Sequence, residues 1–255
     1  MDPKATYRWI GSGLYTVADA SRLTKVSRGR IRRWMKGYSF WSRGEVRSSP
    51  PVFQGELGRG EDEAIVLSFK DLIEIRYVHA FLEVGVSWKT LRDAHEKAAA
   101  LMKTKHPFAT RRFDSDGHTI LTRVGAKAIL DLVKDQLNFA RIVEHHLLGV
   151  LDFEDSGAVR WWPMGKKRPI VIDGGRSFGQ PIVSGHGVPT AVLHRAYIAE
   201  SQEDGDRIAV GSEGIQRSAS PAALSRSAVE RVAKWFSVEK RSVRAAIEYE
   251  LRLAA

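Results

Sequence analysis

The sequence predicts a mainly α protein with short β-hairpins. Its N-terminal half reads as a winged helix-turn-helix, and its C-terminal half as small strands followed by a second helix-turn-helix-like pair. Three observations carry this. Apolar residues recur at helical spacing in segments that open at Ser or Thr and close at Gly. Stretches rich in Gly, Pro and Ser with isolated aromatics separate them. Positive charge is packed into one end of the chain: residues 1–47 hold eleven Lys/Arg against three Asp/Glu, and the remainder 29 against 27.

The first helix is expected over 16–24 (TVADASRLT), with Thr16 as N-cap and Val17, Ala20 and Leu23 on one face. Lys25-Val26 makes a tight connection with an inward valine. Ser27 then caps a second helix running to about Lys36, and Gly37 ends it. At 100° per residue, Ile31 faces the core, flanked by Trp34 and Met35. Gly29, Arg30, Arg32, Arg33 and Lys36 then point outward. Residues 38–66 read as a hairpin wing with a mobile tip and a strand at Ile65–Leu67. Ser68 caps a helix over about 69–83, Gly85-Val86 breaks it, and Ser87 caps another over about 88–103.

Beyond His106-Pro107, RRFDSDGHTILT reads as a hairpin turning at Asp116-Gly117. Residues 126–148 read as a long amphipathic helix. Residues 157–185 suggest two or three short strands, and helices resume at about 190–200, 221–234 and 239–252. Residues 201–220 read as a loop with the composition of a disordered segment. The domain division is 1–124, a connecting or dimerising helix over 125–156, and 157–255. There is an internal echo: residues 232–247 align with 20–35 at a constant offset, Val238 falling on Val26, Val243 on Ile31 and Ile247 on Met35. GVSWKTLR at 85–92 is a third, looser version.

The chain of 255 residues is 43% hydrophobic and 27% charged, as in soluble globular proteins. It has no apolar run of membrane-spanning length. The opening MDPKATYRWIGSG lacks the apolar core of a signal peptide, so the cytoplasm is the expected compartment. With no cysteine, disulfide scaffolds and zinc–thiolate sites are excluded. Motifs for zinc proteases, phosphate loops and serine hydrolases are absent. GGRSFGQPIVSGHG is glycine-rich without the Lys-Ser/Thr of a phosphate loop. The eight histidines are scattered, His186 standing alone and His145-His146 adjacent on a helix. No enzyme, catalytic residue, metal or cofactor is expected.

The segmental charge points to a polyanion, and the helix pair to double-stranded DNA. Arginine suits both tasks of a recognition helix, because its fork bonds guanine or phosphate in a bidentate way. The residues expected at DNA are Ser27, Arg28, Arg30, Arg32, Arg33 and Lys36, with Arg43 and Arg47 from the wing. The plainer alternative is a solvated basic face on a packing helix. In the C-terminal pair, Lys240, Arg241 and Arg244 are offset by Glu239, Glu248 and Glu250. That pair is either a protein-binding surface or a packing module.

YTVADASRLTKVSRGRIRRWMKG through VLSFKDLIEIRYVHAFLEVGVSWKTLRDA resembles the winged DNA-binding domain of MerR-type regulators. Ile31-Arg32 stands at that family's Leu-Arg, with Arg33 and Trp34 where two aromatics follow. The family's long coiled coil and cysteine ligands are not evident, so its effector sensing is not carried over. RPIVIDGGRSFGQPIVSGHGVPTAVLHRAYIAE with VERVAKWFSVEKRSVRAAIEYE resembles the domain-of-unknown-function family 433, through Gly179-Pro181-Ile182, Val188-Pro189-Thr190 and Ala246-Ile247-Tyr249. Proteins of this group resemble VapB-type antitoxins. The resemblance implies autorepression through operator DNA, a PIN-like ribonuclease toxin as partner, and a homodimer. The alternatives are a stand-alone regulator without a toxin and a scaffold whose basic segment contacts RNA or protein.

Overall fold

The structure is a computed structural model that describes residues 11–53, 55–57, 64–126, 150–155, 157–211 and 224–254, for 114, 116 and 203–211 the backbone alone. The expected long helix at 126–148 lies, but for Ala126, outside these residues, as does the part of the 201–220 segment beyond 211. The molecule is mainly α with small antiparallel strand pairs. It divides into two compact units: the chain up to Trp161 with Asp173–Gly179, and Trp162–Ile172 with Gln180 onward.

In the first unit, β1 (Tyr15–Thr16) leads into α1 (Val17–Thr24) and α2 (Arg28–Lys36). The hairpin β2 (Tyr38–Ser42) and β3 (Glu45–Ser49) follows, then β4 (Val66–Leu67), which pairs antiparallel with β1. Next come α3 (Phe69–Glu83), α4 (Trp88–Met102), α5 (Arg111–Arg123) and the hairpin β5 (Leu151–Glu154) with β6 (Gly157–Trp161). The caps explain the starts. Thr16 and Asp19 make a reciprocal capping box on α1, as Ser68 and Asp71 do on α3. Ser27 and Ser87 each accept a backbone N–H of the turn they open.

α3 is buried on most sides and lies at the centre of the unit, with Asp71 and Glu74 among its buried residues. Leu72, Ile73, Ile75, Tyr77 and Val78 are fully buried. Tyr77 and Phe81 pack against Phe108 and Phe113, with centroids 4.6 Å apart between the last two. Two carboxylates sit within this core. Asp71 accepts the Ser68 N–H (2.8 Å) and the Glu56 N–H (3.2 Å), and lies 3.6 Å from His106 Nδ1. Glu74 accepts the N–H groups of Phe108 (2.9 Å) and Ala109 (3.3 Å), and lies 3.2 Å from His95 Nε2. Burial pushes the Asp71 carboxyl above the usual carboxylate range, against the opposing pull of His106 and the hydrogen bonds.

α5 corrects the hairpin expected at 111–122. Asp116-Gly117 is a local turn signal, but Phe113, Gly117, Ile120, Leu121 and Val124 recur at helical spacing and are buried. Tertiary burial of that stripe, with Thr110 capping at the Phe113 N–H, outweighs the dipeptide.

The second unit holds β7 (Ile170–Asp173) but for Asp173 itself, its antiparallel partner β8 (Pro181–Val183), and α6 (Thr190–Gly211), α7 (Arg226–Trp235) and α8 (Lys240–Ala254). Ile170, Val183, Leu193, Val229, Val232, Val243 and Ile247 form its core. The motif residues have local reasons. The Val183 N–H donates to the Val188 carbonyl (2.9 Å), Ile182 bridges Pro189, and buried Thr190 bonds the Glu250 carboxylate. α6 runs on to Gly211 where a loop was expected from 201. The acidic residues and Gly205 suggested that loop, yet Glu, Arg, Ile and Ala there are tolerated by a helix already propagating.

Glu74→Ala should destabilise the protein by about 3 kcal/mol or more, because two buried backbone donors lose their acceptor and His95 the carboxylate beside it. Urea denaturation measures this. An acid with a raised folded pKa binds more protons folded than unfolded, so its contribution falls as pH rises through that value. Between about pH 4 and 7 the wild type should therefore gain less stability than Asp71→Asn.

Candidate nucleic-acid interface

α2 starts at a capped serine and presents two faces. Ile31 and Trp34 are fully buried, and Met35 is half-buried. Arg28, Gly29, Arg30, Arg32, Arg33 and Lys36 are exposed. Among the described residues, no carboxylate pairs with the guanidinium groups of Arg28, Arg30 or Arg32. Arg33 lies over the Tyr38 ring, 5.5 Å from its centroid. Ser27 is exposed, and its hydroxyl accepts the Arg30 N–H at 3.4 Å.

The hairpin leaves α2 directly. Gly37 has φ 73°, and a Cβ there would overlap the Ser49 carbonyl oxygen. The chain therefore needs glycine where the outgoing and returning strands meet. Arg43 (φ 52°) and Gly44 (φ 79°) form the two-residue turn, which puts Arg43 at the tip. Arg47 pairs across from Phe40, and Trp41 from Val46. Trp41 and Val46 are 73% and 65% exposed, so this hairpin buries little apolar surface of its own. Its base is held instead by Arg92 of α4, which donates to Ser49 Oγ at 2.7 Å.

The turn between α1 and α2 recurs. Lys25 (φ 62°), Gly85 (φ 90°) and Ser237 (φ 51°) are all left-handed. Val26, Val86 and Val238 follow them and are buried. Ser27, Ser87 and Glu239 come next, and then α2, α4 and α8 begin. The residues five beyond each valine, Ile31, Leu91 and Val243, are fully buried. At the second and third turns the valine N–H donates to a carbonyl five residues back, Phe81 at 3.1 Å and Ala233 at 3.0 Å. The echo is thus a shared backbone geometry, while the outward residues differ. On α8, Arg241 pairs with Glu239, and Arg252 with Glu248 at 2.6 Å. Lys240 pairs with Glu230 of α7.

No family model matches the chain. It is similar to an antitoxin. A protein of Mycobacterium tuberculosis (strain ATCC 25618 / H37Rv), named "Putative antitoxin VapB45", is 28% identical over 198 residues, covering 70% of this chain and 80% of the relative. The crystal structure of Rv2018 from Mycobacterium tuberculosis aligns with a TM-score of 0.58 over 91% of this chain and 96% of that one. Identity there is 22%, so this likeness is one of fold.

Sequence reasoning missed the support that α4 gives this face. In the register of the echo, Trp88 and Arg92 fall on Arg28 and Arg32. Trp88 stands edge-on to Trp34 with centroids 5.3 Å apart, and Arg92 reaches the hairpin. The looser copy at 85–92 held that signal, since its outward positions are an aromatic and a single arginine.

Gly37→Ala should cost about 1–3 kcal/mol, because the added methyl meets backbone at a left-handed residue. Thermal unfolding checks this, and the same substitution at Gly29, where nothing lies within 4 Å, is the control.

Proposed function

We propose that this protein is the antitoxin of a type II toxin–antitoxin pair. A winged helix-turn-helix of MerR-like type, formed by α1, α2 and the β2–β3 hairpin, binds operator DNA and represses the protein's own operon. Another surface binds and silences a PIN-like ribonuclease toxin. The protein acts in the cytoplasm as a homodimer, whose two-fold symmetry matches a two-fold operator. No catalysis is part of this reading.

The observation that carries it is the contrast between two helices built on the same turn. α2 shows an exposed cationic face, with three arginines that no described carboxylate neutralises. α8 pairs Lys240, Arg241 and Arg252 with glutamates. Packing alone needs neither arrangement. A polyanion calls for the first, and phosphates would be repelled by glutamates on the second. In this reading Arg28, Arg30, Arg32, Arg33 and Lys36 contact DNA beside Ser27, and Arg43 and Arg47 hold phosphates from the hairpin. The antitoxin part rests on the similarity to the VapB45 protein and on the sequence resemblance.

Replacing Arg32 and Arg33 by alanine should weaken binding to a duplex from upstream of the gene. It should also lower the slope of log affinity against log salt by about 2, since each lost phosphate contact removes about 0.9. Fluorescence anisotropy across a salt series measures both, and an unchanged slope would contradict the assignment. Co-expression with the neighbouring reading frame should yield a stoichiometric complex. A protein that binds the duplex but purifies alone would be a stand-alone regulator.

A further inference from the structure

Between α2, the start of the hairpin, the end of α3 and the start of α4 lies a cavity of about 410 Å³. Arg30, Arg33, Trp34, Tyr38, Leu82, Glu83 and Trp88 line it. That volume falls in the range of small-molecule sites. Three of these residues are aromatic, and two carry guanidinium groups. Glu83 is the one carboxylate in the lining, and His79 sits 3.3 Å from its Oε1.

Trp34 carries the decisive detail. The side chain is fully buried, and its Nε1–H has no acceptor among the described residues. A buried indole donor ordinarily finds a partner, and leaving it unmet costs stability. Here the orphan donor belongs to a residue that lines a cavity also lined by two arginines. The N–H is closed to solvent, so an acceptor in the cavity meets it once a neighbouring side chain shifts aside. The neighbouring rings of Tyr38 and Trp88 supply flat walls, with Trp88 held edge-on to Trp34.

We propose that this cavity binds a small planar ring bearing an anionic group, such as a phosphate or carboxylate. The anion bonds Arg30, Arg33 and the Trp34 N–H, and the ring lies between Tyr38 and Trp88. Aromatic walls distinguish this site from one for a bare phosphodiester, which needs cations alone. The consequence for regulation rests on the DNA reading above: Arg30 and Arg33 cannot serve ligand and duplex together, so the ligand and DNA compete.

Calorimetry with the full-length protein tests this, using AMP and salicylate as probes and adenosine and inorganic phosphate as controls. At least one probe should bind saturably at millimolar concentration or below, and each control about tenfold more weakly than that probe, because each lacks half of the recognition. Trp34→Phe keeps an aromatic ring, though a smaller one, and removes the donor. It should weaken the probe about tenfold while leaving duplex affinity within about twofold. Should Trp34→Phe fold poorly, Arg30→Gln gives the same loss for the probe. Absence of saturable heat with both probes, in protein that still binds duplex, would overturn the site and leave the DNA reading intact. Saturable binding of a probe by protein that does not bind duplex would leave the site intact and overturn the competition. Equal binding of inorganic phosphate and the probe would overturn the role of the rings.

Discussion

The carboxylates of Asp71 and Glu74 sit one turn apart on α3, inside the apolar centre of the N-terminal unit, and several separate segments of the chain converge on them. Asp71 caps its own helix at Ser68 and holds the Glu56 N–H of the segment returning from the hairpin. Glu74 holds the turn at Phe108 and Ala109 that launches α5. His106 and His95 bring in the α4–α5 connection and α4. A buried carboxyl is costly without partners, so loss of one of these contacts weakens the others that share it. α4 is thereby fixed, and α4 in turn supports α2 through Trp88 and the hairpin through Arg92. The exposed cationic face thus depends on a network that it does not touch.

The second organising device is the left-handed residue, buried valine and following helix start that recur at Lys25, Gly85 and Ser237. Each turn joins two helices through one left-handed residue and one buried valine. What the chain then does with each pair depends on the outward positions. α2 leaves Arg28, Arg30 and Arg32 without a described carboxylate, α4 turns Trp88 and Arg92 back onto its neighbours, and α8 pairs Lys240, Arg241 and Arg252 with glutamates. In the proposed reading, one geometry serves recognition, support and packing in turn.

Much of this was legible from residue spacing. The caps at Thr16, Ser27, Ser68 and Ser87, the inward set Ile31 and Trp34, and the valine turns follow from local rules that the structure obeys. Other features were not legible, for physical reasons. Asp116-Gly117 looks like a hairpin turn until the burial of Phe113, Ile120 and Leu121 is known. Pairing of β1 with β4 joins residues about fifty positions apart, which no local pattern announces. His95 and His106 read as scattered histidines because their carboxylate partners lie on another helix. The candidate site was legible in its outward arginines, since helical phase suffices there. Its walls were not, because Trp88 and Leu82 reach it from other helices.

The central claim is that α2 and its hairpin, and not the matching pair α7–α8, meet duplex DNA. Hydrogen–deuterium exchange on the full-length protein, with and without a duplex from upstream of its gene, tests this most directly. Protection on DNA binding should fall on residues 27–49 and leave 226–254 unchanged. Protection at 226–254 with none at 27–49 would contradict the account.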